Sequence, residues 1–274
     1  MKLLSKTTPA ETLLIKDCNS AKLKDLMKLT FMDLLLKKVI KIIEVDKKAH
    51  SRDKYIRTYT YLIAGKNFKI YKPKKHELIY LSPFEKNESI QILLKHFIKM
   101  AYDFSNGSWS YKKSIRGSKE INLYFKDSFL SNLFRQVQLT NNGDNVKNQI
   151  SNYLNDIDKE IVHLLHNDKE KALELLLNIG GNIFLLKNLD FQLLKEIDKN
   201  LINQKRTGNT FVDDSDSDIG VWSYMDFFED DFEFDSCFDS FDSAMDSFDS
   251  EFDASGCSSY DSGCSSCGGC GGCD

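Results

Sequence analysis

Apolar positions in the first two hundred residues recur mostly at helical spacing, with one stretch of alternation between them. Thr8-Pro9-Ala10-Glu11 places a capping residue, a first-turn proline and a capping-box glutamate before Leu13, Leu14 and Ile15, which predicts a helix start. Asp17-Cys18-Asn19-Ser20 breaks that pattern, and Ser20 can cap a second helix through Leu23, Leu26, Met27 and Leu29. Thr30 with Asp33 predicts a third, through Leu34 to Leu36. Residues 38–45 and 54–64 then alternate and are rich in Ile, Val, Tyr and Thr, the signature of strands. Gly65-Lys66-Asn67 reads as a turn, with Phe68–Tyr71 as a returning strand. Short helices followed by a hairpin is the order of a winged helix.

The helical period resumes afterwards. Ser82-Pro83-Phe84-Glu85 predicts a cap for a long helix through Ile90, Leu93, Phe97 and Ala101, with residues 105–108 as a loop. Further helices are expected over 121–139, stopped by Asn141-Asn142-Gly143-Asp144, then over 146–166, 169–179 and 191–202, with Gly180-Gly181 before the last. The predicted fold is mainly α with a small β-hairpin (α+β). It comprises a winged-helix-like unit over 1–78, a helical unit over 79–206 packed on it, and a disordered C-terminal tail.

Beyond Arg206 the pattern dissolves. No Lys or Arg follows, and residues 211–274 hold 18 of the 41 acidic residues, leaving 37 basic and 23 acidic in residues 1–210. A net charge of -4 therefore conceals a body near +14 and a tail of -18. The triplet Phe-Asp-Ser occurs at 234–236, 238–240 (as Phe-Asp-Ser), 241–243 and 248–250, with spacing that reads as irregular, so 207–256 is assigned as an acidic low-complexity linker. Two readings of it stand: aspartates that merely keep aromatics soluble, or an anionic ligand laying Phe side chains into a groove beside basic residues. A flexible tail of this length spans roughly 45 Å against a body radius of gyration near roughly 17 Å. The tail can therefore reach its own body.

Cysteines concentrate at the end. Cys264, Cys267, Cys270 and Cys273 are each three apart, with Cys257 upstream, and the intervening glycines allow tight turns around one ion. Four thiolates suit tetrahedral zinc or another soft metal. A ferredoxin-type iron–sulfur run needs a different fourth spacing and a proline, so that assignment ranks lower. A Gly/Cys-rich end that binds soft metals without fixed stoichiometry is the competing reading. His163 and His166 lie three apart on one helix face with Glu160 a turn earlier, but without a third ligand they read as surface residues.

Lys66, Lys69, Lys72, Lys74 and Lys75, interleaved with Phe68 and Tyr71, form a basic run that would meet phosphates or an acidic partner, with Lys22, Lys24 and Lys28 on neighbouring helices. A solvated lysine face is the alternative. No phosphate loop, nucleophile elbow or paired-carboxylate motif occurs. The N-terminal stretch has no secretory apolar region and no run reaches the roughly 18 residues of a membrane span, so a cytoplasmic location is expected.

Thr8-Pro9-Ala10-Glu11 with Leu13-Leu14, the compact helical body and the ending from Gly263 to Cys273 together resemble a family of uncharacterised bacterial proteins. These join a helical, winged-helix-like domain to a low-complexity Gly/Cys-rich C-terminus. The resemblance implies no catalytic residue, and this chain departs from it by the long Phe-Asp-Ser region. The expectation is a non-enzymatic binding or scaffold protein that recognises an acidic partner or its own acidic tail, with a metal-binding end. A nucleic-acid-binding regulator held off by the tail, or a carrier modified on its cysteines, are the alternatives.

Overall fold

The computed structural model describes residues 2–126, 133–189 and 234–255. The architecture is mainly helical with one small three-stranded antiparallel sheet, ordered β1-β2-β3. Helix α1 (Pro9–Asp17) starts on the expected capping box: Glu11 N–H donates to Thr8 Oγ1, and Thr8 N–H donates to Glu11 Oε2 at 2.8 Å. Every residue from Pro9 to Ile15 is buried, so α1 is the centre of the body rather than an amphipathic surface helix.

Helix α2 (Leu23–Leu36) is continuous where the sequence predicts two helices. Thr30 does not cap; its hydroxyl donates back to Leu26 O at 2.9 Å and accepts from Tyr111 OH at 2.8 Å, which leaves the helix intact. Ser20 likewise donates to Asp17 O instead of capping, and Lys22 occupies the N-cap position.

Strands β1 (Ile40–Lys48) and β2 (Ile56–Ala64) pair antiparallel from Ile40↔Ala64 to Lys48↔Ile56. Gly65 closes against β1, donating to Val39 O; a Cβ there would sit 2.1 Å from Lys38 O, so only glycine fits. Phe68–Tyr71 is not a strand. Its amides donate to Gly65 O and Asn67 O in local turns, which removes them from any ladder. The third strand is instead β3 (Ile92–Leu93), pairing Tyr61↔Leu93 and Leu62↔Ile92.

The long helix expected from Ser82 is two helices. Helix α3 (Leu78–Lys86) contains Ser82 and Pro83 rather than starting at them, because Tyr80 and Leu81 are drawn into the core upstream of the apparent cap, as Phe84 is after it. Helix α4 (Leu94–Ser105) buries Phe97, Ile98 and Ala101. The expected loop at 105–108 shrinks to Asn106, with φ of 53°, before α5 (Gly107–Arg116). The expected helix over 121–139 is not continuous where it is described: Asn122–Tyr124 is a 3-10 turn and Phe125 bridges Leu139, while Leu133 is helical. Asn141–Asp144, expected to stop a helix, is the first turn of α6 (Asn141–Asn167), capped by Thr140 accepting from Gly143 N–H. Helix α7 (Lys169–Ile179) matches its predicted bounds and ends at Gly180, with φ of 55°. The predicted helix over 191–202 lies outside the described residues.

Where composition predicts a low-complexity linker, residues 234–255 form α8 (Phe234–Ser255). It packs on α2 and α4. One apolar core runs from Leu4 through α1, α2, Tyr80, Phe97, Ile161 and Leu176 to Phe241 and Phe248.

Candidate functional site

Helix α8 explains its own composition. From Phe234 to Ala254 the chain reads FDSCFDS, FDSAMDS, FDSEFDA, three consecutive heptads that the triplet spacing of four and three residues disguises. In helical form the first, fourth and fifth positions of each heptad share one face. Accordingly Cys237, Phe241, Ala244, Met245 and Phe248 are buried, and Phe238 is half-buried.

The body meets this face with aromatic rings and lysines. The Phe241 ring lies 5.3 Å from Phe31, whose other neighbours are Tyr80 and Phe97 at 5.8 and 6.3 Å. Phe238 meets Phe184 edge-on at 6.0 Å, under Lys28 Nζ at 4.6 Å from its centroid. Phe248 sits by Tyr102, with Lys99 Nζ 4.9 Å from its centroid. Such cation–π contacts are worth about 0.5–2 kcal/mol depending on desolvation.

Charge pairs fix the direction. Lys24 and Lys28 are one turn apart on α2; Asp242 and Asp246 are one turn apart on α8. Lys24 Nζ reaches Asp246 Oδ1 at 2.6 Å and Lys28 Nζ reaches Asp242 Oδ2 at 2.7 Å, with Lys24 also 3.6 Å from Asp242 Oδ1. The pairing order makes α8 antiparallel to α2. Partial burial works to lower the Lys24 pKa, and the two carboxylates overcome it, so Lys24 is held above its ordinary value. Burial beneath the helix pushes the Cys237 thiol up to about 12, against the opposing pull of Lys28. Beside α8, an open groove of about 550 Å³ is bordered by Thr58, Thr60 and Lys95 on the body and by Ser240, Ser243 and Ser247 on the helix.

The predicted basic run divides. Lys66, Lys69, Lys72 and Lys75 are exposed, and Lys69 pairs with Glu88 at 3.2 Å. Lys74 departs from the run: it turns inward to Glu11, fully buried, at 2.7 Å, and to Glu120 at 3.4 Å. It belongs to a buried polar network that ties the 65–77 segment to α1 and α2. There Tyr71 OH donates to Glu77 Oε1 at 2.9 Å, Lys74 N–H donates to Glu77 Oε2 at 2.7 Å, and Lys37 pairs with Asp33 at 2.6 Å. Burial raises the Glu77 pKa; burial lowers that of His76 to about 3, so its imidazole is neutral beside Thr8 Oγ1. Gly181 closes over this network: a Cβ there would lie 2.1 Å from Asp33 Oδ1. The network is sealed by packing and serves to lock the body.

Lys24 and Lys28, read from sequence as phosphate-facing, instead meet carboxylates, whereas Phe31, Lys99, Tyr102 and Phe184 carry no sequence signal as groove residues. His163, His166 and Glu160 are exposed on α6. Cys257, Cys264, Cys267, Cys270 and Cys273 lie outside the described residues. Among the described residues no group of three His, Cys, Asp or Glu side chains is placed to hold a metal ion, and no helix is long and apolar enough to cross a membrane. Comparisons with protein-family models, with curated proteins and with solved structures find no match to this chain.

Proposed function

We propose that this chain is a non-enzymatic binding or scaffold protein whose basic, aromatic-floored face between α2 and α4 takes an acidic amphipathic helix. Its own tail occupies the face in cis, and an acidic protein partner competes for it. The observation that carries this reading is the paired register of Lys24 and Lys28 with Asp246 and Asp242 over the Phe31–Phe241 contact. Coulomb pairing of partly exposed groups contributes little by itself, roughly 0–1 kcal/mol each, so the aromatic contacts supply affinity and the charges supply register. In the sequence after α8, C-x-x-C spacing supports a zinc or soft-metal site at Cys264, Cys267, Cys270 and Cys273.

The test is release of the tail. Asp242→Lys with Asp246→Lys in the full chain should expose Cys237 to alkylation, read site by site by mass spectrometry, and should enhance binding to acidic protein partners. An unchanged Cys237 rate would refute the hold of Asp242 and Asp246 on the tail. Elemental analysis of anaerobically purified protein should find one metal per chain, lost on truncation after Gly256; metal-free protein that zinc does not load under reducing conditions would refute the metal assignment.

A second reading has its own observation in favour. Lys66, Lys69, Lys72 and Lys75 stay exposed while Lys24 and Lys28 are covered, as in a nucleic-acid binder restrained by its tail. In that case the same double variant binds single- or double-stranded DNA or RNA more tightly than wild type, with a steep salt dependence.

A further inference from the structure

The heptads of α8 are more specific than their acidity. At the second and sixth positions of the central heptad stand Asp242 and Asp246, four residues apart, which is the spacing that Lys28 and Lys24 present. At the first and fifth positions stand Phe241 and Met245, both buried, with Phe248 opening the next heptad. Small buried residues hold the fourth position of the first two heptads: Cys237 and Ala244 are 4% and 6% exposed. Ala244 faces the start of α4 at the groove that Leu93, Leu94 and Lys95 border. A large side chain there would hold the helix off the aromatic floor.

The same sequence makes a poor helix on its own. Asp, Ser and Phe all rank low in helix propensity. Successive aspartates at 235, 239, 242, 246, 249 and 253 are three or four apart, so each repels the next across a turn. The groove supplies what the helix lacks: cations against the aspartates and an apolar floor under the rings. Folding of this segment is therefore coupled to docking, and part of the interaction energy is consumed in ordering it. A helix docked on such terms is open to exchange with a competitor that presents the same groups.

We propose that the groove between α2 and α4 selects its partner by a heptad code: large apolar groups at positions one and five, a small one at four, and carboxylates at two and six. A partner helix carrying that code displaces the protein's own tail. This rests on the acidic-helix reading above and names the chemistry of the partner. Net negative charge alone does not satisfy the groove, because Lys24 and Lys28 are fixed on α2 and the buried rings set the rotation of the incoming helix.

The experiment uses the full chain carrying Asp242→Lys and Asp246→Lys, which repels its own tail and leaves the body unaltered. The probe is a fluorescent synthetic peptide of residues 234–255 with Cys237→Ala, followed by anisotropy. A second peptide carries one extra alanine between Ser243 and Ala244, which keeps its charge and rotates its second half by about 100°. The expected result is saturable one-to-one binding of the first peptide and at least about 30-fold weaker binding of the second, the loss typical of misplacing central anchors. In wild-type protein, excess first peptide should raise the alkylation rate of the protein's Cys237. Equal binding of the two peptides overturns the code and leaves the acidic-helix reading standing. Failure of both peptides to bind a chain whose Cys237 is alkylated freely overturns that reading as well. A double variant whose Cys237 stays protected shows that Asp242 and Asp246 do not hold the tail, and overturns the charged positions of the code.

Discussion

Replacing Phe241 with alanine removes the most deeply buried tail ring among the described residues, 5.3 Å from Phe31. In a closed core a Phe→Ala change costs about 3–5 kcal/mol, from lost transfer energy and the cavity left behind. Here the effect is local, since α8 can lift away rather than hold a void open. The loss should therefore appear as opening of the tail, bounded above by the whole docking free energy. Cys237 reports that opening. Docked, its thiol is buried and its pKa stands at about 12, so at pH 8 almost no thiolate is present. Undocked, it returns to the ordinary thiol range of about 8.5 and alkylates readily. A change of 3–4 kcal/mol corresponds to about 10²–10³ in the open fraction, at 1.4 kcal/mol per tenfold. Site-resolved alkylation of Cys237 at pH 8 should accelerate by that factor in Phe241→Ala. The acceleration stops short only where the tail is already fully open. Circular dichroism of the body's thermal transition should move little, because α1 to α7 keep their contacts with one another. A Cys237 rate within threefold of wild type would refute the reasoning.

The buried network predicts a contrast among neighbouring lysines. Lys74→Met strands the buried Glu11 carboxylate and should destabilise the body by about 3–5 kcal/mol in urea titrations; Lys75→Met, on the exposed side, should stay within about 0.5 kcal/mol. Equal effects would mean that Lys74 does not neutralise Glu11. His76 predicts a pH effect. Its folded pKa lies near 3, below the ordinary 6.5, so its contribution is fully present above pH 6.5 and is lost as pH falls toward 3, where the unfolded imidazole takes up a proton and the buried one does not. His76→Gln should flatten the stability profile over that window, measured as urea midpoints; an unchanged slope would count against a neutral buried imidazole.

Legibility in the sequence followed the range of the interaction. The capping box at Thr8 and Glu11 is local, and it forms as read. The bounds of α7 also rest on neighbouring residues and were legible, as were strands near β1 and β2, though the returning strand expected at Phe68–Tyr71 is not one. Thr30 and Ser82-Pro83 look like helix starts by the same rules, yet tertiary partners decide them: Tyr111 reaches Thr30, and Tyr80 with Leu81 draws α3 into the core before its apparent cap. Lys74 is chemically the same as Lys72 and Lys75, and distant carboxylates, Glu11 63 positions earlier and Glu120, separate it from them. The tail heptads were present in full. The Phe-Asp-Ser triplets disguise them, because Met245 and Ala254 break the triplet while preserving the seven-residue period. The groove that receives them is assembled from α2, α4 and Phe184, and no short-range pattern marks it.

The most direct test of the central claim, that α8 is held in register by its pairing with α2, is a charge-exchange cycle on the full chain. Lys24→Asp with Lys28→Asp, and Asp242→Lys with Asp246→Lys, should each speed Cys237 alkylation. The account predicts that combining all four restores protection toward wild type, since the opposite charges again face each other one turn apart. Additive acceleration in the combined variant would contradict it.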